Sequence, residues 1–239
     1  MSPRAFYHDH PETLCLQTEI IASQPGRVRL AHSPFFPGGG GQMADRGMLR
    51  WQHGELPVTG FEGSGRDQWI VLSDPDADIT GTVEAVVDPA FRQMMRELHT
   101  GTHILNALVF QNFDGALVTG VQMNEDGTAR MDFDVPDADN GRLRSLEAPI
   151  NDVLRQNLPV TDSYAGIEQA AKEHGLIRSR SVAPPPTPDG TIRIVEIRGL
   201  DRQACGGTHL AETGMSRPIC ILKIENKGRH NRRVRIGLA

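Results

Sequence analysis

The chain has 239 residues, of which 38% are apolar and 25 are glycine, with a formal net charge of −5. This composition excludes a disordered, collagen-like or coiled-coil chain, and no run is long and apolar enough for a membrane span. Three cysteines, Cys15, Cys205 and Cys220, cannot all pair and suit a reducing compartment better than a disulfide framework.

The N-terminus, MSPRAFYHDH, carries charges and a proline where a leader peptide needs an apolar stretch, so a soluble cytoplasmic protein is expected. Residues up to 87 read as short strands separated by turn chemistry, at 14–21, 28–32, 48–52, 56–61, 69–72 and 82–87. Such spacing predicts a small β-barrel or sandwich. The pattern changes at Asp88-Pro89, where Asp suits a helix N-cap and Pro the first turn. Phe91, Met94, Met95, Leu98, Leu105, Leu108 and Val109 then recur at helical period. The domain boundary is placed there, giving an N-terminal domain over 1–87 and a second over 88–239. Strands are expected at 115–123 and 129–133, then helices at 142–157 and 164–174, the latter stopping at Gly175. The proline-rich segment 183–190 reads as an exposed loop, and strands at 191–197 and 219–225 complete the chain. Strands and helices in segregated blocks predict an α+β fold.

Two short motifs carry the candidate chemistry. In LHTGTH, His99 and His103 lie four residues apart on one helical face, within reach of a single ion. In ACGGTH, two glycines forbid a helix interior and make a tight turn, placed after the strand ending near Ile197, that lets Cys205 and His209 converge. Each motif alone has a bland reading: polar helix histidines, or a small buried thiol. Three imidazoles and one thiolate together form a set that zinc takes in tetrahedral geometry. Cys15 and Cys220 are left as core residues. The position after the first histidine is Thr100 and not Glu, so this is not a zincin with a built-in base. A third motif, FFPGGGGQMADRG, exposes backbone N–H groups at Gly39, Gly40 and Gly41, suited to a phosphate or carbonyl oxygen, or simply a flexible hairpin.

Together these motifs, with RMDFDV and ENKGRHNRRVRI, resemble the editing domain of alanyl-tRNA synthetase and its free-standing relatives, the alanyl-tRNA editing proteins. The related threonyl enzyme's editing domain is similar at the histidine pair but is expected to carry Pro at the position of Thr208 and to lack the GGGQ loop. The resemblance implies a β-barrel-like domain followed by an α+β editing domain of the type common to the threonyl and alanyl enzymes. It also implies one Zn2+ ion on His99, His103, Cys205 and His209. The implied activity is hydrolysis, in trans, of the ester joining serine or glycine to the acceptor end of tRNA(Ala); no DNA or membrane partner is implied. The family usually has Ala at the position of Gly101, and a mid-helix glycine should loosen that turn by up to about 1 kcal/mol.

Sparing alanine requires a partner for the hydroxyl of serine, because size exclusion cannot reject the smaller residue. Thr100, Thr102, Gln42 and Asp45 are candidates by position, although a helical threonine commonly bonds its own backbone. Residues 223–235, KIENKGRHNRRVR, hold six Lys or Arg and one Glu, an exception to the net acidity. Arg229, Arg232 and Arg233 are candidate phosphate contacts, or part of a solvated face. The rival readings are a non-catalytic, zinc-stabilised tRNA-binding module on the same scaffold and editing of another mischarged tRNA.

Overall fold

The computed structural model describes residues 4–136, 139–173, 175–178, 186–187 and 189–239. The chain forms two compact units, Met1–Gly38 with Met43–Gln93, and Gly39–Gln42 with Met94–Ala239.

In the first unit a short helix α1 (Phe6–Asp9) precedes six strands: β1 (Cys15–Gln24), β2 (Arg27–Leu30), β3 (Gly47–Trp51), β4 (Gly54–Glu62), β5 (Trp69–Leu72) and β6 (Thr82–Val87). They close into an antiparallel barrel of order β1-β2-β5-β4-β3-β6, which leaves no strand edge open. Alternate side chains, among them Val28, Leu49, Ile70, Val83 and Ala85, fill its interior. Cys15 does not join this core: it begins β1 on the exposed side and its thiol meets the Glu84 carboxylate at 3.2 Å. Cys220 is half-buried.

Asp88 caps helix α2 (Pro89–Asn112) as expected, its Oδ1 accepting from the N–H groups of Ala90 and Phe91 at 3.0 and 3.1 Å. The unit boundary falls within this helix. The second unit continues with β7 (Val118–Met123), β8 (Thr128–Asp134), α3 (Asn140–Arg144), α4 (Glu147–Arg155), β9 (Val160–Gly166), α5 (Ile167–Lys172), β10 (Thr191–Ile197), β11 (Asp201–Ala204), β12 (Ile219–Lys227) and β13 (Asn231–Leu238). One sheet runs β12-β13-β8-β7 and a second β11-β10-β9, all antiparallel. Phe133, Val234, Ile236, Ile219 and Ile221 line the buried face of the first sheet. The free edge of β12 is covered by side chains. Asn151 bonds both backbone groups of Ile219, Glu147 accepts from the Ile221 N–H, and Arg144 donates to the Ile221 carbonyl.

Four local expectations need correction. The helix expected at 142–157 is two helices, because Pro149 lacks an N–H and its ring clashes with the carbonyl four residues earlier, so the chain restarts at Glu147. Residues 164–166 belong to β9, since their pairing with β10 outweighs local helical preference, and α5 has only six residues. The CGG turn follows β11 and not the end of β10. The closing basic run is the β12–β13 hairpin. Of the loop expected at 183–190, residues 183–185 and 188 lie outside the described residues; Gly190 turns into β10 with its N–H on the Thr187 carbonyl. Among the described residues no helix is long and apolar enough to cross a membrane.

Candidate metal centre

Helix α2 sets His99 and His103 one turn apart, with ring centroids 5.2 Å from each other. The loop after β11 brings the His209 ring to 4.3 and 4.6 Å from these two. Cys205 Sγ lies 3.4 Å from His99 Nε2 and 3.3 Å from His209 Nε2. One ligand atom from each residue falls within 4.8 Å of the others, and all four residues are buried. Bonds of zinc length in a tetrahedron separate donor atoms by roughly 3.3–3.8 Å, a range that holds the separations of Cys205 Sγ from His99 and His209.

The loop is held from several sides. Gly207 is required by packing: a Cβ there would overlap the His99 ring and come within 2.7 Å of Gln42 Oε1. Arg193 of β10 donates to the carbonyls of Cys205 and Gly207 at 3.2 and 2.9 Å. The Gly207 N–H points at Cys205 Sγ, 3.4 Å away. Thr100 Oγ1 accepts from the Leu210 N–H at 3.2 Å and lies 3.4 Å from His209 Nδ1.

Gln42 ties this loop to the helix. Its Oε1 accepts from the Thr208 N–H at 2.9 Å, and its Nε2 donates to Thr208 Oγ1 at 2.8 Å. A backbone N–H can only donate, which identifies Oε1. That oxygen is also 2.8 Å from His99 Nδ1, so Nδ1 carries the proton and Nε2 presents its lone pair towards Cys205. A proline at 208 would lack the N–H this arrangement uses. Gln42 is in turn placed by its glycines: Gly41 has φ +86°, and a Cβ there would meet the Val121 carbonyl oxygen at 2.6 Å. Gly39 and Gly40 also have positive φ and face open space.

Behind His103 lies a buried polar network. Its Nδ1 is 3.5 Å from Asp201 Oδ2, an electrostatic contact rather than a directed hydrogen bond. Asp201 also pairs with Arg178 at 2.6 Å and accepts from Gln203 Nε2, while Gln203 Oε1 accepts from Asn106 Nδ2 at 2.7 Å. The four candidate ligands also polarise one another. Burial resists charge on Cys205, yet the facing His99, His103 and His209 hold its thiol well below the ordinary range. Burial likewise resists charge on His103, but the Cys205 thiolate and Asp201 push it up to about 9. Burial and then His99 drive His209 well below the usual imidazole value.

The remaining expected site residues have varied placements. Thr102 Oγ1 donates to the His99 carbonyl at 2.7 Å, the ordinary bond of a helical threonine. Asp45 is engaged inside the first unit, in a buried ion pair with Arg92 and accepting from the Phe36 N–H at 2.6 Å. Arg229 is exposed in the β12–β13 turn. Arg232 is not a surface cation: strand alternation turns it to the buried face, where it is 8% exposed. Arg233 faces out but is tied to Asp132 by two bonds of 2.7 Å. Gly101 also reads differently, because a Cβ there would overlap the δ-methyl of Ile219; the missing side chain admits the sheet against the helix. Sequence reasoning missed Asp201, Gln203 and Arg193. Alternation of Asp201 and Gln203 in DRQA was the available signal, but the inward residues are polar and escape a search for apolar periodicity.

Residues 192–235 match the family model for the threonyl and alanyl tRNA synthetase second additional domain. The chain is 31% identical over 218 residues to an alanyl-tRNA editing protein AlaX-M of Saccharolobus solfataricus, covering 90% of both chains. It is 32% identical over 216 residues to an AlaX-M protein of Methanosarcina acetivorans, covering 87% and 86%. An alanine–tRNA ligase of Korarchaeum cryptofilum is 29% identical over 221 residues, 91% of this chain and 24% of the ligase.

Proposed function

The chain belongs to the alanyl-tRNA editing protein family, and from that premise we propose that it hydrolyses the aminoacyl ester of mischarged tRNA(Ala), carrying serine or glycine, with zinc at His99, His103, Cys205 and His209. The observation that carries this reading is the buried convergence of three imidazoles and one thiolate, set by a glutamine of the glycine loop that reaches both ligand-bearing segments. Zinc supplies a Lewis acid that polarises or positions an oxygen or amine of the substrate. The surrounding residues hold their own parts of the work. Gln42 keeps the proton of His99 on Nδ1, Asp201 faces Nδ1 of His103, Thr100 ties the end of the CGGTH loop to the helix, and Arg193 ties the loop to β10.

Selectivity for serine calls for an acceptor or donor at the substrate hydroxyl, since a site built to bond that group rejects the analogue lacking it by about 10⁴-fold. Thr102 Oγ1 uses its proton on the His99 carbonyl and so offers lone pairs to such a hydroxyl. Gly39 and Gly40, open to their surroundings, suit close approach of the terminal ribose or ester carbonyl. Arg229, at an exposed turn, is a phosphate contact.

Four buried protein ligands also suit a structural metal in a non-catalytic tRNA-binding module. One experiment separates the two: Ser-tRNA(Ala) and Gly-tRNA(Ala) are incubated with the protein before and after chelation, with folding followed by circular dichroism. Editing predicts ester cleavage that disappears on chelation and returns with zinc. Binding of tRNA without cleavage in the zinc-loaded protein would establish the module instead.

A further inference from the structure

The outward face of the β12-β13-β8-β7 sheet carries a charge pattern that the metal centre does not use. Strand register aligns Gln122, Arg130, Arg235 and Lys223 in one row across all four strands. The next row is Gly120, Asp132, Arg233 and Glu225. Both rows face away from the core, because the intervening Ala129, Met131, Val234 and Ile236 are buried. The side chains of Arg130, Arg235 and Lys223 are 28%, 43% and 64% exposed.

Like charges directly opposite one another on neighbouring strands weaken a sheet, and here three cations stand side by side. Two carboxylates in the second row bridge them. Asp132 serves Arg233 and Arg130, while Glu225 lies 3.1, 3.2 and 3.8 Å from Arg235, Lys223 and Lys227. Asp134 is the further acid, one row on, opposite Asn231. The cations outnumber their counter-ions, and Arg235 and Lys223 hold the Glu225 carboxyl down at about 2. The excess of cations over counter-ions on this face suits an external polyanion.

We propose that this row binds the phosphate backbone of an RNA stem, the stem of the tRNA whose end reaches the metal centre; the inference rests on the reading that the chain acts on tRNA. With strands about 4.8 Å apart the three cations span roughly 10 Å, a flat strip along which successive phosphates can lie. At the β7 end, Gln122 accepts from Arg130 Nε and a terminal nitrogen at 3.1 and 3.0 Å and so fixes that guanidinium on the face, while Gly120 adds neither charge nor a side chain. A protein partner would instead need an apolar or aromatic centre. Among the described residues of these four strands, Leu222 is the one strongly exposed large apolar side chain. Backbone contacts of this kind position an RNA without reading its sequence.

The test measures binding of uncharged tRNA(Ala) transcript over a salt series for the wild type and for the Arg130→Gln, Lys223→Gln, Arg235→Gln triple variant. The slope of log K against log salt should become shallower by about 2 to 3, with affinity at least about 10-fold lower near 0.1 M salt. Should the triple variant fail to fold, Lys223→Gln alone, at the most exposed position, should lower the slope by about 1. An unchanged slope and affinity in the folded variant would overturn the docking face. Wild-type cleavage of Ser-tRNA(Ala) is assayed in parallel: its absence would count against editing alone, and an unchanged salt slope against this face alone.

Discussion

Replacing Gln42 by methionine probes the second layer of the metal centre without touching a ligand. The side chain is 3% exposed and makes three bonds, accepting from the Thr208 N–H and His99 Nδ1–H and donating to Thr208 Oγ1. Methionine fills similar volume but leaves two buried donors unpaired, each at a cost of about 1–3 kcal/mol. That cost is divided between the fold and the metal-bound state, since His99 can rotate away from the ion to regain a partner. Loss of such an outer contact lowers metal affinity by about 10–100-fold, or about 1.4–2.8 kcal/mol. Gln42→Glu keeps the acceptor that holds the His99 proton, so it should bind metal more tightly than Gln42→Met. Competition for zinc against a chromophoric chelator measures both variants, with thermal melts to confirm folding. A methionine variant whose affinity stays within about 2-fold of wild type would refute the idea that Gln42 sets the His99 tautomer.

Three further outcomes follow from the same geometry. Gly207→Ala should abolish stoichiometric zinc uptake, because its Cβ overlaps the His99 ring; full uptake by elemental analysis would contradict the close packing of that turn. Gly101→Ala should gain up to about 1 kcal/mol of helix propensity but lose about 1–3 kcal/mol to overpacking against Ile219. Adding Ile219→Val, which removes the δ-methyl, should then restore stability, and denaturation curves showing additive effects would dismiss the contact. The last concerns protons. The Cys205 thiol is held well below its ordinary range and His209 well below the usual imidazole value, whereas His103, raised to about 9, still holds its proton at pH 7. Zinc uptake should therefore release the His103 proton at pH 7 and progressively less of it above pH 9, read by calorimetry in buffers of different ionisation heat. In the ion-free protein the same raised value contributes stability that is present below the ordinary imidazole range and lost as pH rises through about 9. Proton release that does not fall between pH 7 and pH 10 would contradict the raised value of His103.

The barrel strands were legible because Pro25-Gly26 and Gly63 to Gly65 punctuate alternating apolar residues, and the start of α2 because Asp88-Pro89 is a local cap; Pro57, a turn signal by type, lies within β4 instead. The four candidate ligands were legible because their residue types are rare and their spacings short. Strand β9 was not, since VTDSYAG is largely exposed and owes its conformation to pairing with β10. Strand β11 escaped because Asp201 and Gln203 face inward as polar groups behind His103. In β13 the alternation of Arg with Val234 and Ile236 was present, but the density of charge masked it and placed Arg232 on the wrong face. Gly101 shows the same limit: helix propensity alone marks it as a defect, and only the approach of Ile219 gives it a purpose.

The most direct test of editing itself is a comparison of initial rates on one tRNA(Ala) charged with serine or with alanine, using zinc-loaded protein. Preferential release of serine, with the alanyl ester spared, is the predicted result. Equal rates on both esters, or no release of serine above the protein-free control, would contradict it.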